Sequence, residues 1–216
     1  MFAIKRHKIR LPRVYPLTDV QLLGLSHAEQ VRLLSLGGAS LIQLREKHLP
    51  PFEFYEQAKT AMEFAARSGA ELIVNDRVDL ALAIGAHGVH LGQDDMPPEA
   101  ARRLLGPEAI IGYSTHNVEQ ALAALTQPVD YIAIGPIFKT ATKGDTSPVQ
   151  GLEGLRAVRT AVGNVPLVAI GGITQANARE VIEAGADSVA VISALLSNPT
   201  RIPDTTQNLL GSLNSL

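Results

Sequence analysis

Residues 167–192, LVAIGGITQANAREVIEAGADSVAVI, contain one complete structural unit. An aliphatic run over 167–170 ends in a glycine pair, Gly171-Gly172. Thr174 then precedes a segment of helical pattern that stops at Gly185, and a second aliphatic run occupies 188–192. The unit is strand, turn, helix, strand. Outward from it, the same punctuation marks further strands at 13–17, 40–44, 71–74, 88–91, 110–113 and 130–134, eight in all. Ser26 with Glu29 forms a capping box, and Asn117 with Gln120 opens another helix. Residues 52–66 carry Phe52, Tyr55, Ala58, Met62 and Ala65 at helical spacing, a core-facing stripe.

Eight strand–helix units in 216 residues allow about 27 residues each, which suits a closed parallel barrel. A doubly wound open sheet is the competitor, but it has no reason to stop at eight. No linker divides the chain. The expected fold is a single-domain α/β (β/α)8 TIM barrel over 13–216, preceded by a flexible arm over 1–12.

Composition narrows the function. The chain has no Cys, so disulfides, thiolate nucleophiles and Cys-ligated metals are excluded. Aromatics are 4% with no Trp and the formal charge is −2, which argues against a nucleic-acid partner. No apolar run reaches the length of a membrane span, so a cytoplasmic protein without a membrane partner is expected. Residues 1–13 carry Lys5, Arg6, Lys8, Arg10 and Arg13 without an acid, so the remaining 203 sum to −7. A solvated terminus is the plain reading of that arm.

In a barrel, chemistry collects where strands end and the following loops begin. After strand 2, period two places Gln43, Arg45 and Lys47 on one side, which suits a phosphate or a solvated loop. Asn75-Asp76 after strand 3 and Asp94-Asp95 after strand 4 cap helices, or share a hard cation such as Mg2+. His90 lies inside the strand pattern as a satisfied imidazole. Ser114, Thr115 and His116 follow strand 5, with His116 open to capping or acid–base work. The long irregular stretch after strand 6 holds Thr140, Thr142 and Lys143, an anion-gripping loop. Gly171-Gly172 and Ser193 complete a second anion site, unless the glycines serve only tight packing. Two anion sites on one rim describe two phosphorylated small-molecule substrates.

The stretches 43–47 (QLREK), 75–76 (ND), 88–95 (GVHLGQDD), 112–116 (GYSTH), 135–143 (GPIFKTATK), 169–173 (AIGGI) and 191–194 (VISA) together resemble the thiamine phosphate synthase family. The resemblance implies attack by the nitrogen of a thiazole phosphate, or its carboxylated form, on hydroxymethylpyrimidine diphosphate. The products are thiamine phosphate and pyrophosphate. It implies that Gln43, Arg45, Lys47, Asn75, Ser114 and Lys143 hold the pyrimidine diphosphate, with Arg45, Lys47, Ser114 and Lys143 catalytic. It implies further that Asp76 and Asp95 bind Mg2+ and that Thr140, Ala141, Thr142, Gly172, Ile192 and Ser193 hold the thiazole phosphate. Two departures stand out: Lys139 where the family commonly has Pro, and Pro16 in the first strand. A thiazole tautomerase using His116, or a non-catalytic ligand sensor, would share the barrel without needing the diphosphate and metal set. A homo-oligomer is compatible with the sequence, which does not specify one.

Overall fold

The computed structural model describes residues 9–140 and 148–215. Strand β1 (Val14–Pro16) leads to helices α1 (Val20–Leu23) and α2 (His27–Leu36). Then follow β2 (Leu41–Leu44), α3 (Pro51–Ser68), β3 (Glu71–Asn75), α4 (Val78–Ile84), β4 (Gly88–Leu91) and α5 (Pro98–Leu105). The second half runs β5 (Ile110–Thr115), α6 (Val118–Ala124), β6 (Tyr131–Ile134), α7 (Gly151–Val162), β7 (Leu167–Ile170), α8 (Ala178–Glu183), β8 (Ser188–Val191) and α9 (Ile202–Asn214). All eight expected strands are present.

The strands form one parallel sheet in the order β1-β8-β7-β6-β5-β4-β3-β2. Because β1 pairs with β8, the sheet curls back on itself, and the open doubly wound arrangement is excluded. The last seam, β1 to β2, is a single bridge from Leu17 to Gln43. Pro16 explains why. The Leu17 N–H donates to Val191 on the β8 side at 2.9 Å, and that of Thr18 donates to Gln43 on the β2 side at 2.9 Å. Alternation then aims residue 16 at β2, where proline has no N–H to offer. The result is a nearly closed (β/α)8 barrel and a single domain.

Period two sorts the strand residues onto two sides. Tyr15, Leu17, Leu41, Ile73, Ile110, Tyr131, Ala133, Val168 and Ala190 form the cluster inside the barrel. Their neighbours, such as Val14, Ile42, Leu72, Ile111, Ile132, Leu167 and Val189, pack outward with Leu34, Phe54, Leu155 and Val181 of the helices. Strands buried on both faces must be apolar throughout, which is why they read as continuous runs. Each buried aliphatic side chain contributes about 1.5–3 kcal/mol. Ile9 and Leu11 of the basic arm pack against the inner cluster, while residues 1–8 lie outside the described residues.

The caps mostly form as expected. Ser26 Oγ accepts from the Glu29 N–H at 3.2 Å, and Asn117 Oδ1 from that of Gln120 at 2.8 Å. Thr174 is a correction. It opens a turn in which Asn177 Oδ1 accepts its N–H at 2.7 Å, and the helix begins only at Ala178. On α3 the expected stripe forms at four of its five positions: Ala58 and Ala65 are buried and Tyr55 and Met62 pack against the core, joined by Phe54 and Ala61, whereas Phe52, in the first turn, is 76% exposed.

Candidate active site

Gln43, next to last in β2, faces inward and is buried; in the loop beyond, Arg45 lines the same hollow as Gln43 and Lys47 is exposed. Arg45 Nη1 lies 3.3 Å from Asp19 Oδ2, while its buried Nε has no partner among the described residues. A buried guanidinium N–H left unpaired costs roughly 1–3 kcal/mol or more, so the position is poised for an acceptor. Lys47 Nζ pairs with Asp76 Oδ2. Asp76 has φ 63°, a left-handed conformation that Asp tolerates better than most residues, and its N–H donates to the His90 carbonyl at 2.8 Å. Asn75, at the end of β3, sits beside His90 in the parallel register.

Asp95 Oδ2 accepts the Gly92 N–H at 2.6 Å. Burial raises its carboxyl above the ordinary range; the Gly92 N–H opposes this, the neighbouring Asp76 raises it further, and Lys47 lowers it slightly. Two carboxylates thus meet from adjacent strand ends, as the sequence suggested. An oxygen-only donor pair whose charge is disfavoured as it stands fits a hard divalent cation. Among the described residues no group of three or more His, Asp or Glu that could hold a metal ion gathers, at this rim or elsewhere.

Beneath this rim runs a buried polar chain that sequence patterning did not reveal. Gln43 Nε2 donates to Tyr15 OH at 3.1 Å, and Tyr15 OH lies 3.0 Å from Tyr131 OH. Tyr131 OH is 2.9 Å from His90 Nδ1, and His90 Nε2 is 2.8 Å from Ser114 Oγ. His90 is a satisfied imidazole. Burial pushes both tyrosines well above the ordinary phenol range, so they stay neutral. Gly112 makes room for the chain: a Cβ there would lie 2.0 Å from the Tyr131 ring and 2.5 Å from His90 Nδ1. The one usable signal was parity, which aims Tyr15 and Tyr131 inward. Ser114 itself lies within β5 rather than beyond it, because that strand continues to Thr115. His116 Nδ1 is 2.8 Å from the Gly135 carbonyl, a link between the ends of β5 and β6.

The described residues expected to form a second anion site are gathered in a separate hollow, lined by Thr140, Gly172, Ile192 and Ser193. Through Ile170, Gly171 and Ser114 it continues into the hollow that holds Gln43, Arg45 and Asn75. The glycine pair also serves packing, since a Cβ on Gly172 would meet the Lys139 carbonyl at 2.7 Å and one on Gly171 would meet Pro136 at 2.7 Å. A helix N-terminus does not stand behind them, because α8 starts six residues later. The Lys139 side chain is exposed. Ala141, Thr142 and Lys143 lie outside the described residues. Another hollow opens at the opposite end of the barrel, beside Arg10, Arg13 and Asp187, away from the strand-end residues described above.

Residues 14–195 match the family model described as thiamine monophosphate synthase. The chain is 49% identical to a thiamine-phosphate synthase from Chloroflexus aurantiacus over 86% of this chain and 85% of that protein. A thiamine-phosphate synthase from Albidiferax ferrireducens is 51% identical, covering 88% of this chain and 87% of its own. Among solved structures, a thiamine phosphate pyrophosphorylase from Pyrococcus furiosus superposes with a TM-score of 0.85 at 40% identity, over 94% of this chain and 96% of that one.

Proposed function

The chain belongs to the thiamine monophosphate synthase family and is a transferase, and from that premise we propose how its own residues divide the reaction. The substrates are hydroxymethylpyrimidine diphosphate and a thiazole phosphate, decarboxylated or carboxylated. Three adjoining hollows whose linings overlap at Ser114, Ile170 and Gly171, with Arg45 at one end and Gly172 and Ser193 at the other, support this reading. At one end, Arg45, Lys47 and Lys143 hold the diphosphate, with the orphaned Arg45 Nε available for an oxygen. At the other, Thr140, Ala141, Thr142, Gly172, Ile192 and Ser193 hold the thiazole phosphate. Gln43, Asn75 and Ser114 orient the pyrimidine, Gln43 and Ser114 from fixed positions at the two ends of the buried polar chain.

Asp76 and Asp95 would hold Mg2+, which when bound neutralises charge on the departing pyrophosphate. The C–O bond to pyrophosphate breaks and a C–N bond to the thiazole forms, with the substrate nitrogen as nucleophile. The protein needs no nucleophile, in keeping with the absence of Cys. Its part is to stabilise charge on the leaving group through Arg45, Lys47 and Lys143 and to bring the two substrates together. A bound diphosphate of roughly −3 is balanced by these cations, the metal and the two carboxylates. A tautomerase would ask acid–base work of His116, whose Nδ1 is engaged with Gly135. We assign the catalytic domain to 13–216, with the basic 1–12 segment outside it, and its location to the cytoplasm; no described helix is long and apolar enough to cross a membrane.

Incubation with both phosphorylated precursors and Mg2+ tests the proposal, with thiamine phosphate and pyrophosphate as expected products. No product, or equal product under a chelator, sinks it.

A further inference from the structure

Glu46 lies between Arg45 and Lys47 but takes no place over the barrel mouth. Its side chain is 5% exposed and points to His27, which is fully buried at the start of α2. Glu46 Oε2 is 2.9 Å from His27 Nε2, and His27 Nδ1 is 2.6 Å from Thr18 Oγ1. Glu46 Oε1 in turn accepts the backbone N–H of Lys47 at 2.7 Å, His48 at 2.5 Å and Leu49 at 2.9 Å. Thr18 Oγ1 accepts the backbone N–H of Arg45 at 3.3 Å and also lies 3.3 Å from the Gln43 carbonyl, a second acceptor for its proton beside His27. Hydroxyl, imidazole and carboxylate stand in the order of a hydrolytic triad, yet Thr18 is fully buried and no substrate reaches it.

We propose that Thr18, His27 and Glu46 form a positioning relay that presets the diphosphate-binding loop 45–49, an inference that rests on the function proposed above. The two ends of the relay terminate on the backbone of the two cationic residues, Arg45 and Lys47. The middle is anchored by helices: Phe54 of α3 packs on the His27 ring at 5.1 Å, and Gln57 Oε1 accepts the His27 N–H at 2.9 Å. A long cationic side chain loses rotamer freedom on gripping an anion, and a loop already held in place loses no more. Glu46 also bends the chain back at 47–49, so Lys47 faces Asp76.

The test uses the full chain with each substrate varied in turn, and calorimetry with inorganic pyrophosphate and Mg2+. Thr18→Val keeps the shape and removes the hydroxyl; it should raise KM for the pyrimidine diphosphate about tenfold, the scale of one lost buried hydrogen bond. KM for the thiazole phosphate should stay within about twofold, and Thr18→Ser should restore the wild-type value. His27→Phe should act in the same direction, and if it fails to fold the Thr18 pair decides. Pyrophosphate affinity should fall by the same factor as KM rises. Equal increases in both KM values, or unchanged pyrophosphate affinity in folded Thr18→Val protein, overturn the relay. If variants lose pyrophosphate while the wild type makes no thiamine phosphate, the relay stands and the proposed function falls.

Discussion

The two rims of the barrel use the same residue types and treat them oppositely. At the N-terminal rim, Arg102 in the last turn of α5 donates to the carbonyls of Gly106, Pro107, Ala109 and Pro128 and to Asp130 at 2.7 Å. Asp130 Oδ2 also accepts the Ile111 N–H at 2.7 Å, tying β5 to β6. Arg159 in α7 repeats the device two strands on. It donates to Gly163, Val165 and Gly185 carbonyls and to Asp187, which accepts the Leu167 N–H at 2.8 Å. At the C-terminal rim, Arg45 has one 3.3 Å contact to a carboxylate and a buried nitrogen with no partner among the described residues. Saturated cations hold a fold together; an unsaturated one is kept for a ligand.

That contrast can be broken by substitution. The largest effect should come from Asp130→Ala, which leaves Arg102 without its buried partner and should cost about 3–5 kcal/mol in urea unfolding. Its kcat/KM per folded molecule should stay within about twofold, and a large loss of activity at full stability would erase the distinction between the rims. Arg45→Ala should do the reverse. It should lower kcat/KM by about 10²–10³, with a midpoint of unfolding at or above that of the wild type. Lys143→Ala should reduce kcat more than it weakens diphosphate binding, as single-turnover kinetics would show; weakened binding with unchanged kcat would reject its place at the leaving group.

Gly112→Ala sharpens the comparison from inside. The added methyl group must displace Tyr131 or His90, costing about 1–3 kcal/mol by overpacking. It should lower activity as well, because the same chain ends at Ser114. The smallest effect is a pH dependence. Burial holds His27 below its ordinary value although Glu46 and Asp19 both face it. The folded state therefore disfavours the proton, so this contribution to stability is full above about pH 6.5 and erodes as pH falls toward the folded-state value. For Glu46, burial pushes upward, but the bonds from His48, Leu49 and His27 win and hold it low. Its contribution is present above about pH 4.3 and is lost as pH falls through the folded value. Urea unfolding at pH 8 and pH 5.5 should show less stability at the lower pH, and His27→Gln should flatten that difference.

Much of this was legible locally. The aliphatic runs, the Ser26 and Asn117 caps and the polar residues at strand ends sit within a few positions of one another, and short-range periodicity records them. The Thr174 start was misplaced because a turn closed by Asn177 satisfies the backbone first. The Asp76–Asp95 pair was expected because parallel neighbours bring successive strand ends together. Tyr15 and Tyr131, 116 residues apart, meet only because the sheet closes on itself.

The sequence alone determined eight strand–helix units, their order and the chemistry gathered at their ends, since each depends on neighbours along the chain. Closure of the sheet decided the rest: which cations found enough acceptors, which inward side chains joined into the buried chain from Gln43 to Ser114, and how Thr18, His27 and Glu46 came to hold one loop. Those contacts join residues from separate strands and helices, and no local pattern encodes a distance across a barrel.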